Sequence, residues 1–127
     1  MTAAEPRPWV LIVDDDEDIR DTIRSLLQLR GYIVDTAPDG RVGLERMRTA
    51  HPPALVILDY MMPGMNGEEF REAQLADPEL ARVPVVLLTG AGDVGSAAHV
   101  DIERMAKPIE LQLLFDTVAR YCTKGST

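Results

Sequence analysis

The residues of this 127-residue chain whose types and spacing could do chemistry are a set of aspartates, one threonine and one lysine. Asp14, Asp15 and Asp16 close the apolar run Val10–Val13, Asp59 closes a second run, Thr89 a third, and Lys107 follows a fourth. Grouped carboxylates repel and raise one another's pKa unless a cation neutralises them. Oxygen donors without His or Cys suit Mg²⁺, which takes one or two carboxylates, a carbonyl, waters and a phosphate. The chain carries eleven Arg and two Lys, one of them in the tail, so Lys107 marks a place where a compact ammonium is wanted. Thr89 brings a hydroxyl, and Gly90 lets a backbone N–H approach an anion. An acceptor carboxylate, a divalent cation, an ammonium and a hydroxyl donor are the parts of a phosphoryl-transfer site. Each residue also has a plainer use. An aspartate after a strand commonly caps a helix, the use expected of Asp16, and a lysine before a proline can simply be solvated.

These residues meet only if the elements carrying them end on one side. Val10–Val13 is continuous and β-branched, as is Leu55–Leu58, and Val83–Leu88 is similar. Such runs read as strands buried on both faces, which belong to parallel sheets covered by helices. Ile33-Val34 reads as a short strand, and a weak one is expected near Ile102–Met105. Between them, Ile19, Ile23, Leu26 and Leu27 share one face of a helix over 17–30, closed by Gly31. Further helices are expected over 39–50, 68–76 and 111–122, with a short polar one within 92–101. Strand and helix alternate five times. The spacing predicts an α/β, doubly wound sheet, in which ligands bind outside the carboxyl ends of the strands.

Composition narrows the partners. Thirteen basic against 21 acidic residues leave a net charge of −8, which disfavours direct DNA or RNA binding and an anionic membrane surface. The apolar runs are too short to span a bilayer, and residues 1–8 lack a signal peptide's apolar stretch, so a cytoplasmic location is expected. Residues 1–8 read as a disordered or extended lead, 9–122 as the domain and 123–127 as a flexible tail. Cys122 reads as a small apolar side chain, and His51 and His99 as surface residues without a ligand pattern.

Four blocks in order then resemble the receiver domain of bacterial two-component response regulators: Val13-Asp14-Asp15-Asp16, Asp59 through Gly67, Leu88-Thr89-Gly90, and Lys107-Pro108. The resemblance spans about residues 9–122. It implies a flavodoxin-like five-stranded parallel sheet of order 2-1-3-4-5 with helices on both faces. It also implies that Asp59 accepts a phosphoryl group from a histidine kinase or phosphotransfer protein, switching contacts with a downstream protein. Asp15, Asp59 and the Met61 backbone carbonyl would ligate Mg²⁺, with Asp14 acting through a metal-bound water. Lys107 and Thr89 would hold the phosphoryl oxygens. The side chains placed to orient a hydrolytic water would be Met61 and Ala91, neither of which forms a useful hydrogen bond, so a long-lived phosphoaspartate is expected.

Three features depart from the family pattern. The 18-residue interval from Thr89 to Lys107 is about one helical turn short, Arg104 stands where an aromatic switch residue is usual, and Asp101-Ile102 replaces Gly-Ala. Competing readings are a phosphorylation-independent pseudo-receiver and a haloacid-dehalogenase-like phosphatase with Asp14 as nucleophile and Asp16 as acid/base. A flavin-binding protein is disfavoured, because three aspartates after the first strand would repel the flavin phosphate.

Overall fold

The computed structural model describes residues 7–49, 51–90 and 102–124. In chain order these form β1 (Trp9–Val13), α1 (Glu17–Leu29), β2 (Ile33–Ala37), α2 (Gly40–Met47), β3 (Leu55–Asp59), α3 (Gly67–Leu75), β4 (Val85–Thr89), β5 (Glu103–Ala106) and α4 (Leu111–Lys124). The expected short helix within 92–101, Ala91, His99 and the tail beyond residue 124 lie outside the described residues.

All strand pairs are parallel, and the order is β2-β1-β3-β4-β5. The period-two alternation of a strand divides the core into two layers. Leu11, Val13, Val56 and Leu58 point to the side covered by Leu44 and Met47 of α2 and Phe70 of α3. Val10, Ile12, Leu55 and Ile57 point to the other side, under Ile23 and Leu27 of α1 and Leu114, Val118 and Cys122 of α4. β3 is buried along its whole length, and each such aliphatic side chain taken from water contributes about 1.5–3 kcal/mol. Helix α2 comes unusually close to β1: a Cβ on Gly43 would sit 2.8 Å from a Val13 methyl, so only glycine fits.

Helix ends follow their capping residues. Asp16 caps α1 by accepting from the N–H groups of Asp18 and Ile19, its expected use, and Gly31 adopts φ +89° just past the C-terminus. Asp39 caps α2 from outside, so that helix starts at Gly40 and ends at Met47, short of residue 50. Asn66 and Glu69 form a reciprocal capping box, which starts α3 at Gly67.

The strands shift modestly from the sequence reading. β2 extends to Ala37 because Ile33–Ala37 pair residue for residue with Trp9–Val13, although Asp35 and Thr36 interrupt the apolar run. β4 starts at Val85, because the Val83 N–H turns back to the Leu80 carbonyl and Pro84 has no N–H to give. β5 is displaced by one residue to Glu103–Ala106, in register with Val86–Thr89.

Candidate functional site

Because all strands run one way, β1, β3 and β4 deliver Asp14, Asp59 and Thr89 to one rim, and Lys107 follows β5 there. Asp14 continues the ladder by donating its N–H to the Ala37 carbonyl (3.2 Å). Its carboxylate is fully buried, that of Asp59 is nearly so, and Asp15 is exposed. One oxygen from each of Asp14, Asp15 and Asp59 lies within 4.8 Å of the others. Asp14 Oδ1 accepts from the Asp16 N–H at 2.9 Å, while Asp14 Oδ2 is buried with no hydrogen-bond partner among the described residues. An orphaned carboxylate oxygen is costly unless something charged completes it. Three carboxylates clustered this closely, one of them carrying an orphaned oxygen, fit a small, hard dication.

Lys107 closes the cluster from the other side. Its Nζ donates to Asp59 Oδ1 at 2.7 Å, and its backbone N–H donates to the Thr89 carbonyl at 2.8 Å. The Lys107-Pro108 peptide is cis. Burial pushes the Asp14 carboxyl up to about 6; Asp59 and Asp15 push the same way, against the Asp16 N–H and Lys107. Asp59 is also raised, mainly by burial, despite the Lys107 bond and a Met61 N–H that stabilise its anion. A single lysine therefore leaves the cluster short of positive charge.

The turn after Asp59 is held firmly. The Gly67 N–H donates to the Tyr60 carbonyl at 2.8 Å, and the Tyr60 hydroxyl donates to Glu68 at 2.6 Å. Met62 is buried, and Met65 packs so tightly on α2 that a Cβ on Gly40 would meet its sulfur at 2.6 Å. Met61 is different: its side chain is 59% exposed beside the acceptor. An apolar groove of about 350 Å³, lined by Ile19, Ile23, Leu26, Pro108 and Ile109, opens next to Lys107.

The structure thus brings together Asp14, Asp15, Asp59 and Lys107, with Thr89 on the neighbouring strand end, and spends Asp16 on the α1 cap. His51 is structural: its ring bonds the Arg7 carbonyl and its own carbonyl accepts from the Trp9 indole. Cys122 lies on the buried face of α4, and burial pushes its thiol up. Sequence reasoning passed over Arg20, whose Nη1 donates to the Asp14 carbonyl at 2.7 Å. A signal existed, since a cation in a helix's first turn opposes the helix dipole and so needs another purpose.

A doubly wound sheet of order 2-1-3-4-5, with an acidic rim and a lysine bonded to its central aspartate, defines a flavodoxin-like protein with an aspartate-centred site. The chain matches the family model for the response regulator receiver domain over residues 10–119, and it belongs to that family. It is 37% identical over 95 residues to the alkaline phosphatase synthesis transcriptional regulatory protein SphR of Synechococcus elongatus, a match covering 68% of this chain and 36% of that protein. It is 35% identical over 116 residues to the C4-dicarboxylate transport transcriptional regulatory protein DctD of Pseudomonas aeruginosa, covering 87% and 24%. The chain thus spans about a third or less of these relatives' length. The solved structure of the chemotaxis protein CheY4 of Vibrio cholerae superposes with a TM-score of 0.77 at 29% identity, covering 91% of this chain and 99% of that one.

The chain is a two-component receiver domain, and receivers as a family are phosphoacceptor signalling modules that work with histidine kinases and downstream effectors. Among the described residues no helix is long and apolar enough to cross a membrane.

Proposed function

We propose that Asp59 accepts the phosphoryl group, with Asp14, Asp15, Asp59 and the Met61 carbonyl holding Mg²⁺, and that the domain lies within residues 9–122 and acts in the cytoplasm. The observation that carries this reading is the 2.7 Å contact between Lys107 Nζ and Asp59 Oδ1 at the mouth of the three-carboxylate cluster. Asp59 is on the central strand, with acid on one side and ammonium on the other. An Asp59 carboxylate oxygen attacks the phosphorus of a phosphohistidine. The N–P bond breaks, its electron pair returns to the imidazole, and an acyl phosphate is left on Asp59. The dication supplies positive charge for the phosphoryl oxygens. Lys107 exchanges its bond to Asp59 for one to the transferred group, and the Thr89 hydroxyl binds it from the β4 end. The groove beside Lys107 gives a phosphodonor protein an apolar surface continuous with the acceptor.

The domain thereby catalyses its own phosphorylation and slow dephosphorylation, and the loaded rim alters contacts with a downstream protein, with no direct binding to DNA. The pseudo-receiver and phosphatase alternatives are less well supported. Every polar position a receiver needs is filled, and Asp16, the acid/base of a phosphatase reading, is committed to capping α1.

Asp59→Asn keeps the shape of the side chain and removes the nucleophilic charge. It is expected to abolish phosphoryl uptake from a small phosphodonor with no loss of helical circular dichroism. Labelling of that variant at the wild-type rate would move the acceptor elsewhere.

A further inference from the structure

Asp14 is held at every polar atom but one. Its N–H donates to the Ala37 carbonyl, its carbonyl accepts from Arg20 Nη1 at 2.7 Å, and its Oδ1 accepts from the Asp16 N–H. Oδ2 is buried and has no partner among the described residues, on a side chain that belongs to the cluster of Asp14, Asp15 and Asp59. Arg20 stands in the first turn of α1 behind Glu17 and Asp18, where the helix dipole favours anions. The carbonyl it grips accounts for a cation in that position. We infer that Arg20 is a positioning residue of the cation site. Its guanidinium fixes the turn between β1 and α1, so that Asp14 presents Oδ2 to the ion instead of relaxing toward solvent.

This inference rests on the reading of the rim as a divalent-cation site, and the two can fail separately. Outer partners that orient a metal's ligands typically hold tenfold or more of the affinity. Charge alone works in the opposite sense, since removing a nearby cation strengthens dication binding. The direction of the change therefore distinguishes orientation from bulk electrostatics.

The test is calorimetric titration of Mg²⁺ into wild type, Arg20→Met and Arg20→Lys, with the melting temperature of each metal-free protein alongside. Methionine keeps the apolar stem and removes every donor; lysine restores one donor to the carbonyl. The expected result is about a tenfold weaker Mg²⁺ dissociation constant for Arg20→Met, largely recovered in Arg20→Lys. Unchanged or tighter Mg²⁺ binding by Arg20→Met, even with a lower melting temperature, assigns Arg20 a structural role alone and overturns the inference. If Arg20→Met does not fold, Arg20→Gln takes its place, because its shorter neutral amide lacks the guanidinium's reach: Mg²⁺ binding weakened about tenfold supports the inference, and unchanged or tighter binding overturns it. A wild-type protein that takes up no Mg²⁺ removes the cation site and this inference with it.

Discussion

Two buried polar side chains, one at each end of the sheet, are treated in opposite ways. Gln74, on α3 near the start of β4, is fully buried and satisfied. Its Nε2 donates to the carbonyls of Leu80 (2.9 Å) and Val83 (2.8 Å), and its Oε1 accepts from Arg71 Nη1 (2.8 Å). Arg71 leaves its own Nε without a partner, but that guanidinium is half-buried and bonded through Nη1. Asp14, at the acidic rim, is equally buried yet leaves a carboxylate oxygen orphaned beside two more carboxylates. The Gln74 side chain is satisfied by the protein itself and fastens the turn that feeds β4. The Asp14 end is incomplete by itself, and what it lacks is positive charge. Local dissatisfaction of this kind is where a structure stores its function.

The comparison can be sharpened by kinetics at the open end. Met61, exposed beside Asp59, and Ala91 by the family resemblance are the positions from which side chains would orient a hydrolytic water. Neither forms a useful hydrogen bond. Met61→Asn combined with Ala91→Glu is expected to speed loss of the phosphoryl group by about a hundredfold, the usual worth of a well-placed water-orienting group. Equal decay rates would refute the water-positioning argument and leave the acceptor assignment standing.

At the closed end, Gln74→Ala strands the Val83 carbonyl and frees Arg71. It is expected to cost about 2 kcal/mol in denaturant unfolding, with the Mg²⁺ response unaltered. A neutral outcome would show that water replaces the amide.

Asp14→Asn should do the reverse. It removes a charge held against burial and like charges, so the metal-free protein should melt higher, while the rise in melting temperature with Mg²⁺ expected of wild type should shrink. Asp15→Ala is expected to lose that rise as well. pH gives the smallest and most specific signal. The Asp14 pKa is 3.8 unperturbed and about 6 in the folded chain, so the native state binds its proton more tightly than the unfolded state. Asp14 therefore costs the metal-free protein stability as pH rises from about 4 through 6, the sign required when the native state holds more protons. Mg²⁺ competes with that proton, so its stabilising effect should grow across the same interval. A Mg²⁺ shift independent of pH would separate Asp14 from the ion.

Most of the site was legible because its residues punctuate the sequence. Asp14, Asp59 and Thr89 each end an apolar run, and parallel strands must discharge those ends on one rim. The strand order came from family resemblance and was matched by the pairing. Less legible was β2, an edge strand whose Asp35 and Thr36 break the apolar pattern and whose length is set by pairing with β1. Arg20 and Gln74 were missed for another reason. Each is an ordinary helical residue by type, and its role depends on which backbone carbonyl tertiary packing brings within reach.

The measurement closest to the central claim is the location of the phosphoryl group after incubation of the purified chain with acetyl phosphate, with and without Mg²⁺, by peptide mass analysis. The expected result is an acid-labile phosphoryl group on Asp59, formed only when Mg²⁺ is present. A phosphoryl group on Asp14, or uptake at Asp59 indifferent to Mg²⁺, would contradict the account of an acidic rim left short of charge so that it can hold a cation and a phosphoryl group together.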